Sequence, residues 1–171
     1  HARATAELAR DGAGFVAFLC RHGLAAAAAH AAHAHRAHML RLLGPVPACT
    51  RYLAAGERLR IGGADWTVAT GSGHSPQHAL LHDPERGLLI AGDQVLPSIT
   101  PVVPLLPETG TDDDPLGDFL ATCRRLAGLP AGTIVLPGHG VPFRSLRQRL
   151  AYLQAHHEER LATLAAAVAV A

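Results

Sequence analysis

The chain has no lysine: all fifteen of its basic residues are arginine, set against fourteen acidic ones, for a net charge of +1. It therefore lacks the basic footprint with which a nucleic-acid binder neutralises phosphates, and charge gives no support to that class of partner. With the alanine excess, the arginine preference reads as coding bias rather than phosphate chemistry. Aromatics make up only 4% and charged residues 17%, yet 49% of the 171 residues are hydrophobic, which suits one globular domain with a sizeable core. Cysteine is scarce and odd in number. Cys20, Cys49 and Cys123 form no C-x-x-C pair, which argues against a disulfide framework and favours a reducing cytoplasm. The longest apolar runs, Leu24 to Ala29 and Leu164 to Ala171, fall far short of the roughly 20 residues that cross a bilayer. No membrane span and no signal peptide is expected from the residues present.

Histidine is plentiful, at twelve residues. Three separated segments concentrate chemistry: Gly73-His74-Ser75-Pro76-Gln77-His78, Ala91-Gly92-Asp93-Gln94 and Leu136-Pro137-Gly138-His139-Gly140, each beside an expected strand. Imidazole nitrogen and carboxylate oxygen suit zinc, and also iron or manganese. A carboxylate has two oxygens and can bridge two ions about 3.5–4 Å apart. Each segment alone is weak, because an isolated loop histidine is more often a solvated surface residue and Gly-Asp after a strand is commonly a turn. Three in this order and spacing make a specific signal.

Together these segments resemble the second half of the site of the metallo-β-lactamase superfamily, over roughly Leu59 to Leu164. The resemblance implies an α/β fold, an αββα sandwich with one or two metals at its edge. It also implies metal-ligand roles for His74, Asp93 and His139, with Asp93 as the catalytic bridge. His78 matches a position that supports ligands from behind. The implied activity is metal-dependent hydrolysis of an ester, thioester or amide-like bond in a small-molecule substrate by metal-bound hydroxide.

The family's opening motif, H-x-H-x-D-H, has no strand-borne counterpart here. His33-Ala34-His35-Arg36-Ala37-His38 copies its histidine spacing, but alanine stands where the aspartate belongs. The surrounding alanines favour a helix, which would put His35 and His38 on one face with His33 turned away. The chain also begins at His1 without methionine and enters helical sequence at once. It therefore reads as a C-terminal fragment: a partial domain over residues 51–171 preceded by a helical accessory segment over 1–50. That segment resembles one that some family members insert between the halves of the sandwich. Zn²⁺ is expected to be weakly held or absent in such a fragment. Two rival readings remain: an RNA or nucleotide phosphodiesterase on the same fold, and a non-catalytic truncated module. The sequence does not address oligomeric state.

Along the chain, helical spacing from Ala2 to about Arg21, interrupted or kinked at Asp11, Gly12 and Gly14, should stop at His22-Gly23. A second helix should run from about Ala25 to Leu43, ended by Gly44 and Pro45. Two hairpins are expected, Arg58–Ile61 with Trp66–Thr70 and His78–His82 with Gly87–Ala91. The Pro-rich stretch 97–107 reads as a loop. Asp114-Pro115 should cap a helix with its buried stripe at Leu116, Leu120, Cys123 and Leu126. A fifth strand, Thr133–Leu136, should deliver His139. A last helix from Ser145 to about Val168 should carry Leu146, Leu150, Leu153, His157, Leu161, Leu164 and Val168 on one face.

Overall fold

The computed structural model describes residues 12–42, 48–105 and 113–169. They fall into two compact units, the first ending at Tyr52 and the second containing Leu53–Leu105 and the residues from Asp113 onward.

In the first unit, α1 (Gly12–Arg21) and α2 (Ala26–Leu42) pack as a helical hairpin. Gly12 and Gly14 are helical, so neither breaks α1, and the expected turns before Gly12 lie outside the described residues. A Cβ on Gly12 would sit 2.6 Å from the His33 ring, which shows how closely the two helices approach. α1 stops as expected. Gly23 takes φ +91°, its N–H donates to Cys20 O at 3.0 Å, and the Leu24 N–H donates to Leu19 O at 3.0 Å. That pair of bonds is a Schellman cap, which satisfies carbonyls the helix end would otherwise strand. The proposed stop of α2 at Gly44 and Pro45 lies outside the described residues.

The second unit is a five-stranded sheet in sequence order: β1 (Arg58–Ile61), β2 (Ala64–Gly71), β3 (His78–Asp83), β4 (Leu88–Gly92) and β5 (Ile134–Pro137). The first three pairings are antiparallel and β4–β5 is parallel. Gly62 and Gly63, both at positive φ, make the two-residue turn that joins β1 to β2, a geometry that matches strand twist. Parallel β4 and β5 need a crossover, and α3 (Pro115–Leu126) supplies it. Asp114 caps α3, accepting from the Gly117 N–H at 2.8 Å. The buried stripe of α3 differs in part from expectation: Phe119, Thr122, Cys123 and Leu126 are buried, while Leu116 is only half-buried. Phe119 lies beside Gly73 in the loop after β2.

One face of the sheet carries the core. Leu80, Leu89, Ala91 and Val135 pack against Phe119, Cys123 and Leu126 of α3 and against Leu146, Leu150 and Leu153 of α4 (Leu146–Ala169). Each such aliphatic side chain contributes about 1.5–3 kcal/mol by leaving water. The stripe expected to run the length of α4 is buried only as far as Leu153. Leu161, Leu164 and Val168 are 46%, 62% and 75% exposed, because the sheet ends before the helix does. His157 marks the transition, with its ring edge-on to Phe119 at 5.5 Å. Burial, then His156 and Arg160, holds its pKa below the ordinary imidazole value. On the other face, Val68, Leu81, Ile90 and Leu136 stand in one row across four strands, and Ile90 is 38% exposed.

Candidate metal centre

The topology gathers three loops at one edge. β3 runs antiparallel to β4, so its start at His78 lies beside the end of β4, and the parallel β5 ends there too, with Pro137 opposite Gly92. The ends of parallel strands are where open α/β sheets build sites. A register shift between Ile90 and Gly92 interrupts the ladder just before Asp93. Bulges of this kind re-aim the next side chain. The Gly138 N–H then donates to Gly92 O at 2.8 Å, tying the His139 loop to the Asp93 turn.

His74, Asp93 and His139 come together there. Asp93 Oδ2 lies 3.7 Å from His74 Nε2 and 3.5 Å from His139 Nε2. Its other oxygen, Oδ1, is buried and has no hydrogen-bond partner among the described residues. A Cβ on Gly138 would sit 2.2 Å from that atom, so only glycine leaves the carboxylate room. His74 is held from behind: its Nδ1 lies 2.8 Å from Val102 O. A carbonyl can only accept, so Nδ1 carries a proton, and in the neutral ring Nε2 is the nitrogen left with the lone pair, on the side of Asp93.

His78 opens β3 and lies over the turn, where a Cβ on Gly92 would be 2.5 Å from its Nε2. Its Nδ1 is 3.1 Å from Ser75 Oγ. Burial and the neighbouring His74 lower its pKa, with Asp93 opposing them. Beneath the loop, glycine is required at position 73 on two counts: its φ is +105°, and a side chain there would collide with Phe119 and the Pro115 carbonyl. The fully buried Gln94 donates from Nε2 to Ser72 O at 3.0 Å, and Thr122 Oγ1 accepts from the Ser72 N–H at 3.1 Å.

Among the described residues, no group of three or more His, Cys, Asp or Glu side chains is arranged to hold a metal ion. The donor chemistry suits a metal, and the orphaned Asp93 Oδ1 is the kind of buried atom that one would satisfy. The number of ligands around any one point is small. His33, His35 and His38 lie on α2 of the first unit, His33 half-buried and the other two exposed.

The pattern of the metallo-beta-lactamase superfamily matches residues 12–139. The chain belongs to that superfamily. It is similar to a beta-lactamase domain protein of Burkholderia ambifaria, 38% identical over 84% of this chain and 40% of that one, with a TM-score of 0.70. It is also similar to TTHA1429, a metallo-beta-lactamase family protein of Thermus thermophilus, 38% identical over 69% of this chain and 38% of that one, with a TM-score of 0.64. The probable metallo-hydrolase YqjP of Bacillus subtilis (strain 168) is 33% identical over 105 residues, 58% of this chain and 33% of the relative. The chain thus spans 40% or less of the length of these superfamily members. Its α/β architecture of helices, mixed sheet and further helices is the metallo-β-lactamase-like fold. No described helix is long and apolar enough to cross a membrane.

Motif reading in the sequence missed several residues that shape the rim. Gln94 follows the Gly-Asp pair and nothing in its neighbours marks it. Arg149 sits beside the apolar stripe of α4 and reaches two carbonyls some fifty residues away in sequence. The Val102 carbonyl carries no residue-type signal at all.

Proposed function

We propose that the chain is the C-terminal half of a metal-dependent hydrolase that cleaves an ester, thioester or amide-like bond in a small molecule. His74 and His139 would be the histidine ligands and Asp93 the carboxylate ligand shared between them. Zinc suits this donor set best, with iron or manganese as alternatives. One observation carries the reading: two imidazole nitrogens flank a single carboxylate oxygen whose partner oxygen is buried with no hydrogen-bond partner among the described residues. A bound ion would act as a Lewis acid and lower the pKa of a water from about 15.7 to about 7.

The chain's own residues bind and orient. Val102 O sets the His74 tautomer, Gly138 leaves space for Asp93, and His78 packs over the Gly92 turn that aims it. Two protein ligands for each ion are fewer than the usual three, so binding by the chain is weak. Further ligands would come from a preceding half of the domain. Such a half would also cover the exposed Ile90 and the half-buried Leu81 and Leu136 beside it, and its existence accords with the greater length of the relatives.

The absence of a ready metal cluster among the described residues favours a second reading, a non-catalytic module. Metal uptake separates the two. Titration of the purified chain with zinc should show weak binding that Asp93→Ala removes. A longer protein with an upstream H-x-H-x-D-H half should hydrolyse one of these substrates in a chelator-sensitive way. No uptake by the chain and no chelator-sensitive turnover by the longer form would leave the module reading standing.

A further inference from the structure

We propose that Arg149 is a positioning residue for His74, acting through the segment that follows Asp93. The proposal deepens the metal-site reading and rests on it for its functional consequence. Arg149 lies on α4 between Leu146 and Leu150, both buried in the core, so its backbone is fixed by packing. Its Nε donates to Leu96 O at 2.7 Å and its Nη2 to Ile99 O at 2.6 Å. Its guanidinium also lies 5.0 Å from the Tyr152 ring centroid.

The segment Leu96–Val102 has no helix or strand of its own, so its carbonyls depend on partners from elsewhere. Pro97 and Pro101 restrict its backbone, and the segment behaves as a stiff strap rather than a loose loop. Charged, forked donors suit such a task, since each bond is roughly twice as strong as a neutral one and the fork holds two acceptors in fixed relation.

The strap reaches the site twice. Pro97 packs on Gly140, where an added Cβ would lie 2.8 Å from Pro97 Cγ, beside His139. Val102 O accepts from His74 Nδ1 at 2.8 Å. In water a neutral histidine side chain favours its proton on Nε2, the atom that must be bare to meet a metal. The Val102 bond reverses that preference. Releasing the strap at Leu96 and Ile99 would remove the constraint that keeps this carbonyl under the ring.

The test reads the His74 tautomer directly and needs no metal. In the chelator-treated, ¹⁵N-labelled chain, at a pH where imidazoles are neutral, long-range ¹H–¹⁵N spectra should show His74 protonated on Nδ1. His74→Gln assigns the signal. Arg149→Met keeps the aliphatic stem and should move His74 to mainly Nε2–H with the circular dichroism unchanged. Arg149→Lys supplies one point donor in place of the fork and should give a mixed population. Cobalt affinity should fall about 10–100-fold in Arg149→Met, as for loss of other groups that orient ligands. A wild-type tautomer in Arg149→Met overturns the proposal, and if that variant does not fold, the same result in Arg149→Lys does so. A tautomer shift in a chain that takes up no cobalt upholds the positioning role and removes the ligand reading. Unchanged tautomer with cobalt uptake that Asp93→Ala removes does the reverse.

Discussion

His33, His35 and His38 on α2 and His74, His78 and His139 at the sheet rim are the same side chain in opposite settings. Across α1 and α2 the described residues Gly12–Leu42 contain no acidic residue, and α2 projects its histidines to solvent or, for His33, toward Gly12 and Phe15. At the rim, three loops from distant parts of the chain aim two histidines at one carboxylate, and a backbone carbonyl holds one ring from behind. Spacing alone does not make a histidine a ligand candidate. A carboxylate within reach and a second bond that fixes the ring do.

The largest expected effect breaks the comparison at its centre. Asp93→Ala should remove the zinc or cobalt uptake of the chain, and in a longer hydrolase should cost more activity than His78→Ala, whose loss should be about 10–100-fold. Replacing His33, His35 and His38 together by alanine should leave both readings unchanged. Equal losses from Asp93→Ala and His78→Ala, measured by metal titration and turnover, would show the ligands misassigned.

The next effect contrasts the two halves of α4. Leu150→Ala opens a cavity in a closed core and should cost about 2–5 kcal/mol, whereas Leu164→Ala, on the exposed half, should stay within about 0.5 kcal/mol. Trp66 is the chain's single tryptophan and lies in β2, so urea unfolding followed by its fluorescence reports this unit. A large loss from Leu164→Ala would reveal packing on that surface in solution.

A smaller effect depends on pH. Asp83 closes the β3–β4 hairpin: its Oδ1 accepts from the Arg86 and Glu85 N–H groups, each at 3.0 Å, and its Oδ2 from the Arg86 guanidinium at 3.1 Å. The bond from the Arg86 backbone leads the causes that lower its pKa, with burial opposing. A carboxylate held below its unfolded value of about 3.9 contributes stability that is complete above that pH and lost as pH falls through the folded value. Asp83→Asn should therefore lower the urea midpoint at neutral pH and flatten its decline below about pH 4. The smallest effect belongs to the first unit, where His33→Ala should change helicity and stability by no more than about 0.5 kcal/mol.

Much of this was legible in advance. Strand and helix positions followed from the change of hydrophobic period after Tyr52, and the stop at Gly23 and the start at Asp114 followed from residue chemistry that acts within a few positions. The grouping of His74, Asp93 and His139 was expected from motif order. The stripe of α3 was misjudged at Leu116 because the helix buries Phe119 instead, beside Gly73, a residue far away in sequence. For α4, periodicity shows which residues share a face and not whether anything lies opposite, and that face is buried at Leu146, Leu150 and Leu153 but exposed at Leu161, Leu164 and Val168.

The sequence by itself determined the local elements, the superfamily and the residue types available at the rim, since caps, turns and amphipathic periods are properties of neighbouring residues. Only the tertiary structure decided that Asp93 Oδ1 is buried without a partner, that Val102 O sits behind His74, and that Arg149 reaches Leu96 and Ile99. These features join backbone carbonyls, which are alike in every residue, to side chains some 28 to 53 positions away. Their pairing depends on how the sheet edge and α4 come together, and residue identity carries no record of it.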